Sequence, residues 1–337
     1  MKHIKQIDIA KKLNVSRITV SKALRNHPDI SVEMKKKIHE TAEGLGYIPN
    51  LIAQNLISKK TYTIGVIVPD LENSFFAYAT DSIIDAAGNK NYIAFVTVSR
   101  ENQRQEKTNI QKLIGMRVDG LLVCVTQQTD DPQIFNHIKN LNIPLVFFDR
   151  QFTGLDIPSV TFDDRNGAIA ALGKIIDKGY KKIAHIAGYS KVSIGKERCE
   201  GFKQALRNKG LKVRKDWIVE GGFEVKDGYE AFMKIYKTGA LPEIIFAVND
   251  RTAQGVYQAA NKVGLRIPED IGVAAFGFSE IAQTFTPSLS IINQNPRNMG
   301  STAADMLIET IENKNFGLSI QVKINEEFKW NESILIK

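Results

Sequence analysis

Cysteine is almost missing from this sequence. Of 337 residues only Cys124 and Cys199 are cysteines, and they fall in segments that read as a buried strand and a helix. Two thiols without ligand spacing exclude a disulfide framework and a cysteine metal centre, and they fit a reducing compartment. Histidine is sparse and scattered, at His3, His27, His39, His137 and His185, with no H-E-x-x-H pair. His185, inside KIAHIAG, reads as a core or lobe-edge residue. No apolar run reaches bilayer-spanning length. The first residues lack the continuous apolar segment and small-residue cleavage site of a secretion signal, so the reading expects a cytoplasmic protein without a membrane partner. Also missing are a G-x-G-x-x-G after a strand and a G-x-x-x-x-G-K-[ST] phosphate loop. Asp163 and Asp164 are adjacent, so in an extended chain they point to opposite faces and make no acid/base pair. They begin a helix instead. The expectation is a protein that is not an enzyme and needs no cofactor.

Positive charge, by contrast, is plentiful and unevenly placed. Residues 1–60 hold 12 Lys and Arg against 5 Asp and Glu, while the other 277 hold 33 against 32. A basic head on a nearly neutral body fits a head that meets a polyanion. A merely solvated basic face fits the same counts, so charge has to be read together with pattern. With 43% hydrophobic and 24% charged residues, the composition is that of a soluble globular protein. The length is too great for one core and enough for two or three domains.

The stretch NVSRITVSKALRN (14–26) is rich in β-branched residues, which favour a strand, yet its apolar positions follow helical spacing. In QIDIAKKL (6–13), Ile9, Ala10 and Leu13 make one face of a first helix. Asn14 tolerates the left-handed turn that follows, and Ser16 is placed to cap a second helix. There Val20, Ala23 and Leu24 face the first helix, and Arg17, Ile18, Ser21, Lys22 and Arg25 face away. An isoleucine among cations suits a major groove: Ile18 meets thymine methyls while Arg17 and Lys22 reach guanine N7 and O6. This is a helix-turn-helix with 17–25 as recognition helix; a generic helical hairpin with a charged face is the plainer alternative. Ser31 caps a third helix carrying Met34, Ile38, Ala42 and Leu45, which Gly46 closes. Lys35, Lys36 and Lys37 either touch phosphates or form a solvated face.

The next segment, GYIPNLIAQNLISKK (46–60), looks like a linker. Its NLIAQNL is an amphipathic piece of about two turns, too short to be a stable helix alone. Leu51, Ile52, Leu56 and Ile57 are unusual in a linker. They fit a segment that folds only on its target and wedges a leucine between base steps of a minor groove.

With these residues in view, the chain resembles the LacI/GalR (lactose/galactose repressor) family of bacterial transcription regulators. The resemblance runs through IAKKLNVSRITVSKAL, ISVEMKKKIHETAEGLGYIPNLIAQNL and KKTYTIGVIVPDLENSFF. It continues in DGLLV, IPLVFFDR, KIAHIAG, ERCEGFKQAL, FAVNDRTAQGV, IPEDIGVAAFGF and PSLSIINQN. It implies a homodimer on a pseudo-palindromic double-stranded operator, a hinge helix that forms on DNA, and a core like periplasmic sugar-binding proteins. The positions matching Arg17, Ile18 and Lys22 would read bases, and Leu56 would be the wedge. The DNA-binding set is then Ser16, Arg17, Ile18, Thr19, Ser21, Lys22, Arg25 and Asn26 in the head, with Asn50, Ala53, Gln54 and Leu56 in the linker. Lys22 stands where many members carry Arg, and the two side chains are not interchangeable at a base edge. No leucine-heptad tail follows NESILIK, so the expectation stops at a dimer.

In the body, the runs TIGVIV, YIAFVTV, GLLVCV, PLVFF, KIAHIA, WIVEGG, EIIFAV and IGVAAFGF alternate with helical stretches. Continuous apolar strands separated by amphipathic helices indicate parallel sheets with helices on both faces, an α/β class. The resemblance divides the chain into a helix-turn-helix head (1–47), a hinge (48–61) and two lobes. The first lobe takes 62–161 and 291–317, the second 162–290 and 318–337.

Ligands in such lobes bind beyond the carboxyl ends of the strands. Asn73, Phe75 and Phe76 follow the first strand, Asp149 and Arg150 end LVFFDR, and Asn249 and Asp250 end FAVND. Arg198 opens the helix RCEGFKQAL, and Phe162, Phe223, Phe278 and Ser279 lie at lobe edges. Carboxylate, amide and guanidinium groups around aromatic rings suit a small polyhydroxylated effector such as a sugar. By resemblance Asp149, Arg198 and Asn249 lead this set. Asp250 also reads as a helix N-cap, and Phe75 and Phe76 also read as core. Ser279 stands where many sugar- and purine-responsive members carry Asp. A solute-binding protein of a transport system would share the body, but the basic head and the lack of an export signal speak against it.

Overall fold

Asn14 makes the sharp turn of the head with φ 52° and ψ 44°, the left-handed conformation that asparagine tolerates. It separates α1 (Gln6–Leu13) from α2 (Arg17–Leu24), whose first turn is capped by the Ser16 hydroxyl accepting from the Thr19 N–H at 3.0 Å. A third helix, α3 (Val32–Gly44), is capped by Ser31 and followed by Gly46 at φ 65°. Ile9, Ala10, Val20, Ala23, Ile38 and Ala42 form the small buried centre, ringed by Leu13, Leu24, Met34 and Leu45. The computed structural model describes residues 4–48, 60–313 and 320–336. The chain forms two units, Met1–Thr61 and Tyr62–Lys337.

The second unit is a pair of six-stranded sheets. The first contains β1 (Thr63–Val68), β2 (Ile93–Val98), β3 (Gly120–Val123), β4 (Leu145–Phe148), β5 (Ser159–Phe162) and β11 (Gln321–Ile324), in the order β11-β5-β4-β3-β1-β2. All its pairings are parallel. The second contains β6 (Ile183–Ala187), β7 (Ile218–Glu220), β8 (Ile244–Ala247), β9 (Gly272–Gly277), β10 (Ser290–Asn293) and β12 (Glu327–Lys329), in the order β12-β10-β9-β8-β6-β7. Only β12 runs antiparallel there. The helices covering the first sheet include α4 (Ser74–Asn89), α5 (Gln103–Gly115), α6 (Gln133–Asn140) and α12 (Pro296–Asn313). Those of the second include α7 (Asp164–Asp177), α8 (Ser193–Asn208), α9 (Val225–Tyr236) and α10 (Asp250–Lys262), with the short α11 (Ser279–Ala282) at its edge. Burial on both faces explains why the central strands read as continuous apolar runs.

All eight runs read as strands contain strands. The chain changes lobe three times: between β5 and α7, between β10 and α12, and between β11 and β12. Two of these points correct the sequence boundaries. The assignment of 291–317 to the first lobe begins too early, because β10 pairs with β9 (Ile291 opposite Ala275). The assignment of 318–337 to the second lobe also begins too early, because β11 lies beside β5 (Val322 opposite Val160). A strand's lobe is decided by its hydrogen-bonded neighbour, which a local apolar pattern does not encode. Arg198 lies inside α8 and does not open it, since the helix starts at Ser193.

Close packing is most severe between α9 and α10. A Cβ on Gly255 would fall 2.0 Å from the Val225 carbonyl oxygen, and one on Gly228 would fall 2.0 Å from that of Thr252. The two helices therefore touch backbone to backbone.

His185 is fully buried on β6, sandwiched against Phe202 (5.0 Å) and Phe246 (5.2 Å). Its Nδ1–H donates to the Phe246 carbonyl at 2.8 Å, and its Nε2 has no partner. Burial holds its pKa down at about 4, so the ring is neutral when folded. The unfolded chain takes up this proton nearer pH 6.5. Stability is therefore complete above that value and is lost as pH falls toward 4. By about pH 5 the loss from this group is about 2 kcal/mol. Urea unfolding of the native protein and of His185→Phe between about pH 7 and about pH 5 checks this: the variant should lose that share of the pH dependence.

Candidate functional site

Two surfaces carry the chemistry singled out in the sequence. In the head, α2 turns Arg17 and Ile18 outward; Ile18 is 70% exposed, unusual for a large apolar residue flanked by cations. Ser16 and Thr19 are tied together through their hydroxyls at 2.9 Å. Lys22 is less available than the sequence implied, because its Nζ donates to Asp29 at 2.6 Å, and this bond lowers the Asp29 pKa. Arg25 folds back on its own helix, its Nε donating to the Ser21 carbonyl at 3.1 Å. Asn26 occupies a left-handed turn at φ 55°, and Lys35 donates to its carbonyl at 3.1 Å. Asp29 was missed in the sequence; its only signal is an acid in an otherwise basic stretch. The linker residues Asn50, Ala53, Gln54 and Leu56 lie outside the described residues.

In the body, the strand ends of both lobes converge on one small cavity of about 40 Å³. Asn73, Phe75, Phe76, Asp149, Arg150, Arg198, Phe223, Asn249, Asp250 and Phe278 all line it. Apart from Arg198, which projects from within α8, they lie near the end of a strand or the start of a helix. Asn73 caps α4 by accepting from the Phe75 N–H at 3.0 Å. Asn249 caps α10, accepting from the Thr252 N–H at 2.8 Å, and its Nδ2 donates to the Phe223 carbonyl at 3.0 Å. The cap is thus Asn249, and Asp250 is the first residue inside the helix. Asp149 has φ 59°, a left-handed turn at the end of β4 that points the next residue back toward the cavity.

Both arginines are buried and already paired. Arg198 donates through Nε to Asp164 at 2.7 Å and through Nη1 to the Val248 carbonyl at 2.7 Å, with its guanidinium 4.0 Å from the Phe276 ring centre. Arg150 donates through Nη1 to Glu101 at 2.7 Å and lies between the rings of Phe76 (5.5 Å) and Phe223 (5.1 Å). Its Nε makes no hydrogen bond. Burial raises the carboxyl pKa of Asp149, partly offset by Arg150 and Arg198, and lifts Asp250 to about 6. Cys124 donates its thiol to Asp149 at 3.8 Å, and burial pushes that thiol up.

Two sequence candidates do not line the cavity. Phe162 lies in the core of the first lobe, its ring 6.0 Å from that of Phe75. Ser279 faces a separate groove of about 580 Å³, beside Tyr78, Glu280 and Arg297. Its hydroxyl donates to Asn293 Oδ1 at 2.8 Å and accepts from Lys329 Nζ at 2.7 Å. The strand that brings Lys329 could not be foreseen from local pattern. Ile194, Phe276 and Gln294 line the cavity but were missed, as were Glu101 and Asp164 as the arginines' partners. The partners lie 49 and 34 residues apart in sequence, a separation that leaves no local signal.

A volume of about 40 Å³ holds a few waters, whereas a metabolite needs several hundred. The lobes are drawn together over it. Tyr78 and Phe278 meet edge to face at 5.5 Å, Arg251 lies 3.8 Å from Asp70, and the Gln151 N–H reaches Ser193 Oγ at 3.4 Å. Admission of a metabolite therefore requires the lobes to part. Among the described residues no cluster of three or more His, Cys, Asp or Glu is placed to hold a metal ion, and no helix is long and apolar enough to cross a membrane.

Two family models match the chain. The one for periplasmic binding proteins and the sugar-binding domain of the LacI family covers residues 61–332, and the one for bacterial regulatory proteins of the lacI family covers residues 6–50. The catabolite control protein A of Priestia megaterium is 32% identical, with 97% of this chain and 98% of that protein aligned. The HTH-type transcriptional repressor PurR of Pasteurella multocida is 32% identical over 91% of this chain and 92% of its own. In structure the chain is similar to the lac repressor dimer solved with operator and the anti-inducer ONPF: the TM-score is 0.89, with 99% of this chain and 100% of that one covered at 24% identity. From its helix-turn-helix head to its two-lobed core, this chain belongs to the LacI family of bacterial regulatory proteins.

Proposed function

We propose that the protein is a dimeric repressor whose grip on a pseudo-palindromic operator is set by a small effector, a carbohydrate or its derivative, held between the lobes. The observation that carries the DNA half is α2: an exposed isoleucine flanked by cations on a helix whose other face builds a separate buried core. Arg17 and Ile18 enter the major groove, and Lys22 reaches a base once it leaves Asp29. Two such helices, about 34 Å apart, read the two half-sites. Leu56 from each copy wedges the minor groove between them.

Dimerisation is supported by the first lobe. Its edge strand β2 exposes Ile93 and Phe95, and the neighbouring α4 exposes Ile84. Bare apolar residues on a sheet edge invite pairing with a second copy.

The effector half rests on the cavity. Phenyl rings around amide, carboxylate and guanidinium groups match the C–H faces and hydroxyls of a sugar. A transcriptional regulator of similar fold, CelR, has been solved with cellobiose. Ordering a hinge costs conformational entropy, so a change in how the first lobes present it alters operator affinity. A coupling of about 1–3 kcal/mol corresponds to about 5- to 150-fold.

Footprinting on genomic fragments tests the regulator reading: it should reveal a preferred, roughly twofold-symmetric sequence. Arg17→Ala should weaken that complex by about 1–3 kcal/mol and relax the preference at one base pair of each half-site, measured by titration at fixed salt. An unaltered affinity would take Arg17 out of the interface. Thermal shifts with sugars, sugar acids, sugar phosphates and nucleobases identify the ligand class, since binding raises stability by mass action.

A further inference from the structure

Glu326 sits in the last crossover, between β11 and β12. Both its carboxylate oxygens are shielded from solvent, and neither has a hydrogen-bond partner. The carboxylate lies against the first turn of α7, where a Cβ on Gly167 would fall 2.4 Å from Glu326 Oε2. The charged groups facing it come from three elements. Asp163 and Asp164 begin α7 and Arg198 projects from α8; Lys323, on β11, reaches Asp163 at 3.2 Å. Gln294, in the second crossover, stands beside it as a neutral donor, and its Nε2 has no partner of normal geometry either.

One guanidinium therefore serves two buried carboxyls. Arg198 is committed to Asp164 at 2.7 Å, which leaves Glu326 without a counter-charge. An ionised, unpaired carboxylate in this interior would face both desolvation and the Asp164 charge. A neutral carboxyl faces neither. Burial, with Asp164 adding to it, holds this carboxyl well above the usual range.

All three lobe crossings meet at this point. We propose that Glu326 carries a proton while the lobes are drawn together and releases it to solvent when they part, so that closing the cleft takes up one proton. On opening, the carboxyl O–H bond breaks and the proton passes to water; on closing, the same bond forms again. Resting on the reading of the cleft as the effector site, the consequence is that an effector favouring the closed lobes binds more tightly at lower pH. Glu326 does not touch the cavity. It is a positioning residue for lobe closure.

The test uses the full chain with neither operator nor effector. Spin labels at Lys107→Cys on the first lobe and Lys226→Cys on the second, in a Cys199→Ser background, report the interlobe distance from about pH 5 to about pH 9. The distance should lengthen as pH rises in the protein with Glu326. It should stay short throughout in Glu326→Gln, which keeps the shape of the neutral acid, and in Glu326→Ala. Asp149, Asp250 and Glu106 also have raised values and are present in all three proteins; the contribution of Asp164, whose charge acts on Glu326, is read separately from the same distances in Asp164→Asn. A distance that ignores pH, or one that shifts equally with and without Glu326, overturns the proposal. Either result leaves the effector reading standing, because no ligand or DNA enters the measurement.

Discussion

Arg198→Ala is expected to lower the stability of the body by about 3–5 kcal/mol as well as abolish the effector response. The side chain does two things at once. It lines the cavity, and it is the counter-ion of Asp164, with both partners almost fully buried. Removing the guanidinium strands a carboxylate in the interior and leaves the Val248 carbonyl without its donor. Most of the loss comes from that stranded charge. Burial already raises the Asp164 pKa with its partner present, so without Arg198 it rises further. The penalty should be greatest at alkaline pH and shrink as acid protonates the carboxyl. Replacing both partners, Arg198→Met with Asp164→Leu, should recover most of the stability and none of the ligand binding. Urea unfolding at two pH values separates these contributions. A single-variant loss below about 1 kcal/mol would mean that water reaches the pair.

The second large effect lies far from any ligand. Gly255→Ala places a methyl 2.0 Å from the Val225 carbonyl oxygen and 2.5 Å from the Tyr229 nitrogen. Neither obstacle is the end of a flexible side chain; both belong to the backbone of α9. The helices must separate, which disturbs Phe232, Ile235, Val256 and Ala259 in the core beneath them. The cost should be about 3 kcal/mol or more, beyond the slight gain in helix propensity from alanine. Thermal unfolding of the variant checks it. As a control, Gly173→Ala, whose added methyl meets nothing nearer than Lys209 Cε at 4.0 Å, should be neutral or slightly stabilising.

What could be read from the sequence depended on the range of the determining interaction. The head was legible because Ile9, Leu13, Val20 and Leu24 act within a turn or two of one another, and because Asn14 and Ser16 have local roles. The buried strands were legible because burial on both faces writes an unbroken apolar run. The strand ends that line the cavity followed from the class of fold. Pairings across tens or hundreds of residues were not legible. Glu101 holding Arg150, Asp164 holding Arg198 and Lys329 holding Ser279 join segments whose meeting no local pattern records. The strands that carry the second and third crossings are short, and the last two are partly charged, so their apolar signal is weak. That is why the boundaries near 291 and 318 were misplaced and why Ser279 was grouped with a cavity it does not line.

The crossings bear on the order in which the molecule can be made. Strands β11 and β12 are the last two of the described strands, yet each completes the edge of a different sheet. During synthesis, neither lobe can finish while the ribosome still shields that stretch. Both wait as open-edged intermediates, and a message cut short just after α12 would yield two incomplete halves instead of one sound lobe and one damaged one.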